Sequence, residues 1–214
     1  GSRDAWNGLD QRIVDFVENE FSDEAFDWMG QARFMADRAI DRATTFDGEG
    51  TLEDPTDLAR AYLYGGIIYT MIGDVYDDFV IPASPTEEAP PVGADNMSSV
   101  YDQAITYLTS GLEIARAEGD AELETQLLAM RARARHALGV WQLLNPAGSV
   151  PADPLVSVQA AVDDAQDVLD MTSGTPDWKH RFTYTSSTVP QNGNVPGFIN
   201  VAFQVNQRGE LQIG

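Results

Sequence analysis

The segment 58–78, LARAYLYGGIIYTMIGDVYDD, restricts the fold of this chain more than any other stretch. At helical spacing its apolar residues cover nearly every side of the helix, and such a helix must be surrounded by other elements. Gly65 and Gly66 lie in its middle, where each glycine costs roughly 1 kcal/mol relative to alanine. We therefore predict a central helix whose glycine pair lets a neighbouring helix approach closely. Asp54 and Pro55 predict its start, because proline is tolerated in a first helical turn.

Length and composition predict one globular domain or slightly more. The chain has 214 residues, of which 43% are hydrophobic, enough to bury a core. It carries 34 acidic and 13 basic residues, a formal charge of -21, so it offers no basic face to a nucleic-acid backbone. Such acidity indicates a solvated surface, with metal binding or adaptation to salt as alternatives. The absence of cysteine excludes disulfides and thiolate chemistry, and no apolar run approaches the ~20 residues of a membrane span.

Helical spacing predicts a mainly α fold of antiparallel helix pairs, with about six helices and a short irregular or β tail. The predicted helices cover about residues 9–21, 22–46, 55–78, 98–118, 121–144 and 155–171, and Ser22 is expected to cap the second. The second helix should bury its small residues, which are Ala25, Met29, Ala32, Ala36, Ala39, Ile40 and Ala43. The last helix should bury Ala161, Val162, Ala165, Val168 and Leu169.

Two helix pairs look like copies of one unit. The segment ARAYLYGG, residues 59–66, matches ARARHALG, residues 132–139, and the second helices share an Ala-apolar step at residues 104–105 and 161–162. Pairs with small residues at fixed places are typical of tetratricopeptide-like repeats. A plain antiparallel helical bundle is the alternative.

We predict a helical, tetratricopeptide-like domain over residues 1–174 and an irregular, β-rich tail over residues 175–214. Within the domain, residues 79–97 form a Pro-rich excursion rather than a helix, and loops of this length usually carry function or are disordered. The tail contains short alternating runs such as residues 198–205, separated by Pro and Gly turns, a pattern typical of strands.

Four segments in this order resemble the helical half of the SusD/RagB family of nutrient-binding outer-membrane lipoproteins: AFDWMGQARFMADRAIDRA, LARAYLYGGIIYTMIGDVYDD, SSVYDQAITYLTSGLEIARAEGD and LLAMRARARHALGVWQLL. The parallel rests on a Trp followed by Ala-Arg, an aromatic helix with a Gly-Asp exit, a Y-x-x-A-I-x-x-L helix and an arginine-rich helix ending in Trp. It covers roughly residues 22–184.

This resemblance implies a non-enzymatic protein on the outer face of a bacterial outer membrane. Such a protein captures an oligosaccharide or other nutrient on a tetratricopeptide-like scaffold and hands it to a TonB-dependent transporter. Two departures stand out: the family's lipidated cysteine is absent, and family members continue beyond the position of Gly214 into a loop-rich half that supplies much of the ligand site. We therefore expect either a fragment or a reduced relative that keeps the helical scaffold.

Candidate ligand-binding residues follow from the chemistry of sugar binding, which needs aromatic faces beside carboxylates or amides in a concave setting. The resemblance implies that the exit of the central helix leads toward the ligand face, and the candidates there are Tyr76, Asp77, Asp78 and Phe79. In the tail the candidates, on the chemistry alone, are Trp178, Tyr184 and Asn192. The alternative for the first group is that the two aromatic residues belong to the core and the aspartates cap the helix end.

Other chemistry is weakly represented in the sequence. Asp74, Asp77 and Asp78 are close enough in sequence for a calcium site, but they lack the regular spacing of a calcium loop. A second cluster, Arg131, Arg133 and Arg135 with His136, either binds an anion, or is solvated or forms internal ion pairs. The sequence contains no H-E-x-x-H, no G-x-S-x-G and no phosphate-binding glycine loop. We therefore predict no catalytic residues and no cofactor.

An alternative function belongs to another class of protein. The chain is then a structural or self-assembling extracellular subunit that uses its helical scaffold for protein-protein contacts. Its tail would act as a strand exchanged with a neighbouring molecule, since an unpaired strand edge readily pairs with another chain. Deleting residues 185–214 should abolish assembly only under this alternative.

Overall fold

The structure is a computed structural model that describes residues 20–84, 86–145, 155–175 and 178–179. These residues contain five α-helices and one short 3-10 helix at Ala94–Asn96: α1 (Glu20–Gly48), α2 (Pro55–Val75), α3 (Ser98–Glu118), α4 (Ala121–Leu144) and α5 (Gln159–Met171). The mainly α prediction is confirmed. The predicted first helix lies almost entirely outside the described residues, and Ser22 lies inside α1 rather than capping it, because α1 already begins at Glu20.

The helices belong to the first of two compact units, Gly1–Pro176 and Asp177–Gly214. Of the second unit only Trp178 and Lys179 are described, and neither is in a helix or strand. The predicted β-rich tail therefore lies outside the described residues. None of the described helices is both long and apolar enough to cross a membrane.

Local capping explains where the helices start and stop. The Asp54 carboxylate accepts hydrogen bonds from the backbone N–H of Thr56 at 2.9 Å and from its hydroxyl at 2.7 Å, with Pro55 in the first turn of α2. Helix α3 ends at Gly119, whose φ of 72° is left-handed, a conformation that glycine adopts without a Cβ penalty. Asp120 then caps α4 by accepting from the backbone N–H of Leu123 at 3.0 Å.

Helix α2 is the centre of the domain and packs against α1, α3 and α4. Its contacts with α3 run in opposite directions along the two chains: Gly65 faces Tyr107, Gly66 faces Leu108 and Gly73 faces Tyr101. The same reversed order links α1 to α2 and α4 to α5, so consecutive helices are antiparallel.

The glycine pair in α2 permits the close approach predicted from the sequence. A Cβ atom on Gly65 would lie 2.7 Å from Cδ2 of Tyr107, and one on Gly66 would overlap the side chain of Leu108. At the position that matches Gly66 in the second repeat, a Cβ atom on Gly139 would lie 2.5 Å from Cγ2 of Val158. The approach prediction is confirmed, and both copies of the proposed repeat use a glycine to admit their neighbour.

Several predicted inner faces are wrong in detail. Helix α2 is not covered on every side, since Tyr64 is 58% exposed and Met71 is 39% exposed. In α1 the predicted inner residues Ala32 and Ala39 are exposed, whereas Arg33 between them is buried. The inward face of α1 is therefore rotated away from the alanine stripe. The guanidinium of Arg33 can be buried on this face because it is hydrogen-bonded to its neighbours.

Helix α5 begins at Gln159, later than predicted, and buries a narrow face. Ala161 and Val168 are buried as expected, but Val162, Ala165 and Leu169 are exposed. The buried face is narrow because α5 packs chiefly against α4.

The arginines of α4 form ion pairs within the chain; the side chains of Arg131 and Arg135 are 11% and 23% exposed, whereas that of Arg133 is 56% exposed. The Asp164 carboxylate accepts two hydrogen bonds from Arg131, at 2.9 and 2.7 Å, and one from Arg135 at 2.6 Å. Arg133 donates to Asp74 at 2.6 Å, and the same carboxylate accepts from the Tyr101 hydroxyl at 3.2 Å. The Asp164 carboxylate therefore joins α5 to the preceding helix α4, and the Asp74 carboxylate joins α2 to both α3 and α4.

The Pro-rich excursion between α2 and α3 is closed at its neck. The backbone N–H of Val92 donates to the carbonyl of Phe79 at 2.8 Å, and Val80 forms an antiparallel bridge with Pro91. One oxygen of Asp78 accepts from the backbone N–H groups of Phe79 and Gly93, at 2.8 and 2.7 Å. These bonds join the two ends of the excursion to each other.

Candidate functional site

A cleft lies between the first half of α1 and the chain that leaves α2. Its volume is about 570 Å³, within the range of about 300–1,000 Å³ that is usual for small-molecule sites. Its wall is mainly apolar and aromatic, with a few polar side chains; the lining residues are Phe26, Asp27, Gly30, Gln31, Arg33, Phe34, Met35, Phe79, Val80 and Pro82.

Three aromatic rings support one side of this cleft. Phe26 packs against Phe79 with ring centroids 4.4 Å apart and the rings tilted by 40°, and Tyr76 meets Phe26 edge-to-face at 5.5 Å. The centroids of Tyr76 and Phe79 are 5.4 Å apart. Such pairs stabilise by about 0.5–1.5 kcal/mol beyond the area they bury, so the rings form a rigid wall where α2 ends.

Arg33 is the buried charged side chain of the cleft, with only 3% of its surface exposed. Its Nη1 donates to Asp37 at 3.1 Å, and its Nη2 donates to the carbonyl of Pro82 at 2.9 Å. Its Nε is buried and has no hydrogen-bond partner among the described residues. Arg33 therefore ties the excursion to α1 and still has an unused donor group.

Asp37 joins three helices behind the cleft. Its Oδ2 accepts from Arg33 and from the Tyr69 hydroxyl of α2 at 3.0 Å, and its Oδ1 accepts from the Tyr107 hydroxyl of α3 at 2.9 Å. Burial, and then the negative charge of Asp37, raises the pKa of both tyrosines above the ordinary value of 10.0. Both hydroxyls therefore stay protonated at neutral pH and act as hydrogen-bond donors rather than nucleophiles.

These raised pKa values predict that the protein loses stability in alkali. The unfolded state releases its tyrosine protons near pH 10, whereas folded Tyr69 and Tyr107 retain theirs, so the free energy of unfolding should fall as the pH rises above about 10. The expected slope is up to about 1.4 kcal/mol per pH unit for each tyrosine. Urea unfolding at pH 9 and pH 11 measures it, and Tyr107→Phe should reduce the slope. Equal stability at both pH values would contradict this prediction.

The structure assigns different positions to the four residues predicted at the exit of α2. Phe79 is buried and lines the cleft. Tyr76 is the C-terminal cap of α2, and its backbone N–H donates to the carbonyl of Ile72 at 3.0 Å. Its ring packs behind the cleft wall. Asp78 binds backbone N–H groups at the neck of the excursion, and Asp77 is exposed.

The remaining predicted site residues lie in the tail. Trp178 is half-buried, and Tyr184 and Asn192 lie outside the described residues. The proposed calcium ligands are not gathered together, since Asp74 pairs with Arg133 while Asp78 binds the backbone. Within the described parts of the chain, no group of three or more acidic or histidine side chains is arranged to hold a metal ion.

The α1 side of the cleft was not predicted from the sequence. Phe26, Arg33 and Asp37 were not among the candidate site residues. One signal was available: an Arg and an Asp four residues apart lie on the same side of a helix. Together with Ile40 they extend a stripe at helical spacing. The arginine would still have been read as exposed, because its partners Tyr69, Tyr107 and Pro82 are distant in sequence.

The geometry of the cleft is suited to binding. Aromatic faces can pack against an apolar or C–H surface, while Arg33 and Gln31 offer donors and Asp27 offers an acceptor. Asp27 and Arg33 are the charged side chains among the described lining residues. The chain is thus a mainly helical protein with an aromatic, partly polar cleft.

Comparisons with models of known families, with curated protein sequences and with solved structures found no match.

Proposed function

We propose that this protein is a non-enzymatic nutrient-binding protein of the SusD/RagB type that takes an oligosaccharide or a similar nutrient into the cleft beside α1. At a bacterial cell surface it would hand this ligand to a TonB-dependent transporter. The observation that carries the proposal is the concave aromatic wall of Phe26, Phe34 and Phe79 with Asp27, Gln31 and Arg33 around it. This is the combination that sugar binding requires.

Two further features support binding at this place. Phe79 was singled out from the sequence for the same chemistry, and it lines the cleft. The excursion that begins at Phe79 is fixed by Asp78 and by the bond from Arg33 to Pro82, so the wall is largely formed before a ligand arrives. A pre-formed site loses less entropy when it binds.

Gly30 provides a test of the cleft. It lines the cavity, and a Cβ atom added to it would meet nothing within 4 Å. Gly30→Leu should therefore fill the cleft without disturbing the helix, because leucine favours helices over glycine by about 0.5–1 kcal/mol. We expect binding to fall by about tenfold or more when it is measured by calorimetry with an oligosaccharide selected from a glycan panel.

Gly48→Leu is the matched control, since Gly48 is also in α1 and also faces open space, but does not line the cleft. It should bind as tightly as the unaltered protein. If Gly30→Leu also bound unchanged, the cleft would not be the ligand site. If no oligosaccharide in the panel bound at all, the proposed function itself would fail.

One observation favours the alternative of an assembly subunit. Tyr64, Met71 and Val75 lie on one side of α2 and are 58%, 39% and 57% exposed, and exposed apolar stripes often mark contacts between proteins. Sedimentation of the native protein distinguishes the two functions. Polymers without glycan binding would favour assembly, and monomers that bind glycan would favour nutrient capture.

A further inference from the structure

The charges of the cleft limit which ligands it can accept. The positive charge of Arg33 is matched by Asp37, with Nη1 and Oδ2 3.1 Å apart. Asp27 adds a carboxylate to the wall, and the whole chain has a formal charge of -21. An acidic ligand would therefore meet a guanidinium that is already neutralised, beside a second negative charge and within a negative protein field.

The hydrogen-bonding groups of the cleft set a second condition. Asp37 and Pro82 occupy Nη1 and Nη2 of Arg33, while its Nε is buried without a partner among the described residues. A buried donor without an acceptor costs about 1–3 kcal/mol. Because this nitrogen is itself buried, a ligand oxygen would reach it, and relieve part of this cost, only if the Arg33 side chain turned toward the cleft.

We propose that the cleft selects uncharged, hydroxyl-bearing ligands and discriminates against acidic ones, and that Asp27 and Asp37 are the residues that determine this specificity. This inference rests on the proposed function, since it names the class of oligosaccharide that the cleft takes. Asp37 acts through Arg33 by cancelling its charge. Asp27 acts directly, because it is one of the residues that line the cavity.

The selectivity can be measured with matched ligands. The probes are a panel of neutral oligosaccharides and a second panel in which one hexose of each is replaced by the corresponding uronic acid, so that a hydroxymethyl group becomes a carboxylate. We expect the neutral member of each bound pair to bind about tenfold more tightly or better. The part of the preference that Asp37 sets should persist at about 1 M salt, where the Debye length falls to about 3 Å, because its carboxylate is partly buried and such charges are screened less than exposed ones.

Two matched variants separate the local charge from the charge of the whole protein. Asp27→Asn and Asp47→Asn each remove one exposed carboxylate from α1, but Asp47 is about 30 Å further along a helix that rises about 1.5 Å per residue. Asp27→Asn should reduce the preference for neutral ligands by about threefold or more, and Asp47→Asn should leave it within about twofold. Because both positions are exposed, neither change should prevent folding.

A third variant tests the role assigned to Asp37. Asp37→Asn frees the charge of Arg33 and should shift the preference toward the uronic acids. Circular dichroism should first establish that this variant folds, and if it does not, the Asp27→Asn comparison and the salt series carry the test.

The outcomes are distinguishable. Binding of uronic acids as tight as that of their neutral partners would overturn this inference and leave the proposed function standing. A preference that vanished at high salt, or that changed equally in Asp27→Asn and Asp47→Asn, would also overturn it, because only the overall charge would then be acting. Binding to neither panel would overturn the inference and the proposed function together.

Discussion

Replacing Asp164 with alanine is expected to lower the free energy of unfolding by about 3–5 kcal/mol. The Asp164 side chain is only 5% exposed, and it accepts hydrogen bonds from two arginines, Arg131 and Arg135, whose side chains are 11% and 23% exposed. Without the carboxylate, two guanidinium groups would be left close together in the junction between α4 and α5. Loss of one partner of a buried ion pair is costly chiefly because the remaining charge is then uncompensated.

Asp163 provides the control for this prediction. It is the residue before Asp164 in α5 and is exposed to solvent. Its carboxylate accepts a hydrogen bond from the side chain of Gln159 at 2.7 Å. Asp163→Ala should therefore change stability by no more than about 0.5 kcal/mol. Urea unfolding followed by circular dichroism measures both variants, and similar losses in the two would refute the role given to Asp164.

A combined variant separates the two possible origins of the loss. If the cost of Asp164→Ala comes from uncompensated charge, then Asp164→Leu together with Arg131→Met and Arg135→Met should recover most of the lost stability. Buried ion pairs are often replaced by apolar residues at little cost. If the triple variant were as unstable as Asp164→Ala, the direct attraction within the ion-pair cluster would be the larger contribution.

Gly66→Leu is expected to destabilise the fold by at least about 3 kcal/mol, even though leucine favours helices over glycine by about 0.5–1 kcal/mol. The Cβ atom alone would overlap Leu108, whose side chain is fully buried in α3. The remaining carbons have no space to enter, because α2 is packed between α1, α3 and α4. Thermal and urea unfolding would measure the loss, and a native-like melting curve would show that the helices do not approach as closely as described.

A second-site change tests whether the contact with Leu108 is the cause. Leu108→Ala alone should cost about 2–5 kcal/mol, because it leaves a cavity. Combined with Gly66→Leu, it should cost clearly less than the sum of the two single changes, since the new leucine would occupy the vacated space. Additive losses would place the strain elsewhere in α2.

Residues close together in sequence account for much of the helical architecture. The cap at Asp54, the left-handed Gly119 and the cap at Asp120 each act within a few residues, so α2, α3 and α4 could be placed closely in advance. The glycine pair of α2 also predicted a close neighbour. Local pattern could not show which neighbour that was, or that Tyr64 and Met71 remain exposed.

The candidate site was predicted only in part. Phe79 was expected near the ligand and lines the cleft, but Phe26, Gln31 and Arg33 on the opposite wall were missed. Tyr76 and Asp78 were also candidates, and their observed contacts are with the cleft wall and the neck of the excursion. The aromatic and acidic composition of the exit was readable from sequence, whereas the position of α1 beside it was not.

The sequence by itself determined the helical class, the helix ends set by local caps and the need for a close neighbour at Gly66, because these depend on periodicity and on interactions within a turn or two. Only the tertiary structure decided that Arg33 and Asp164 are buried and that a cleft opens between α1 and the excursion. The reason is that a charged residue can be buried only when its partners are in place. Those partners, Tyr69, Pro82 and Tyr107 in one case and Arg131 and Arg135 in the other, come from elements brought together by folding.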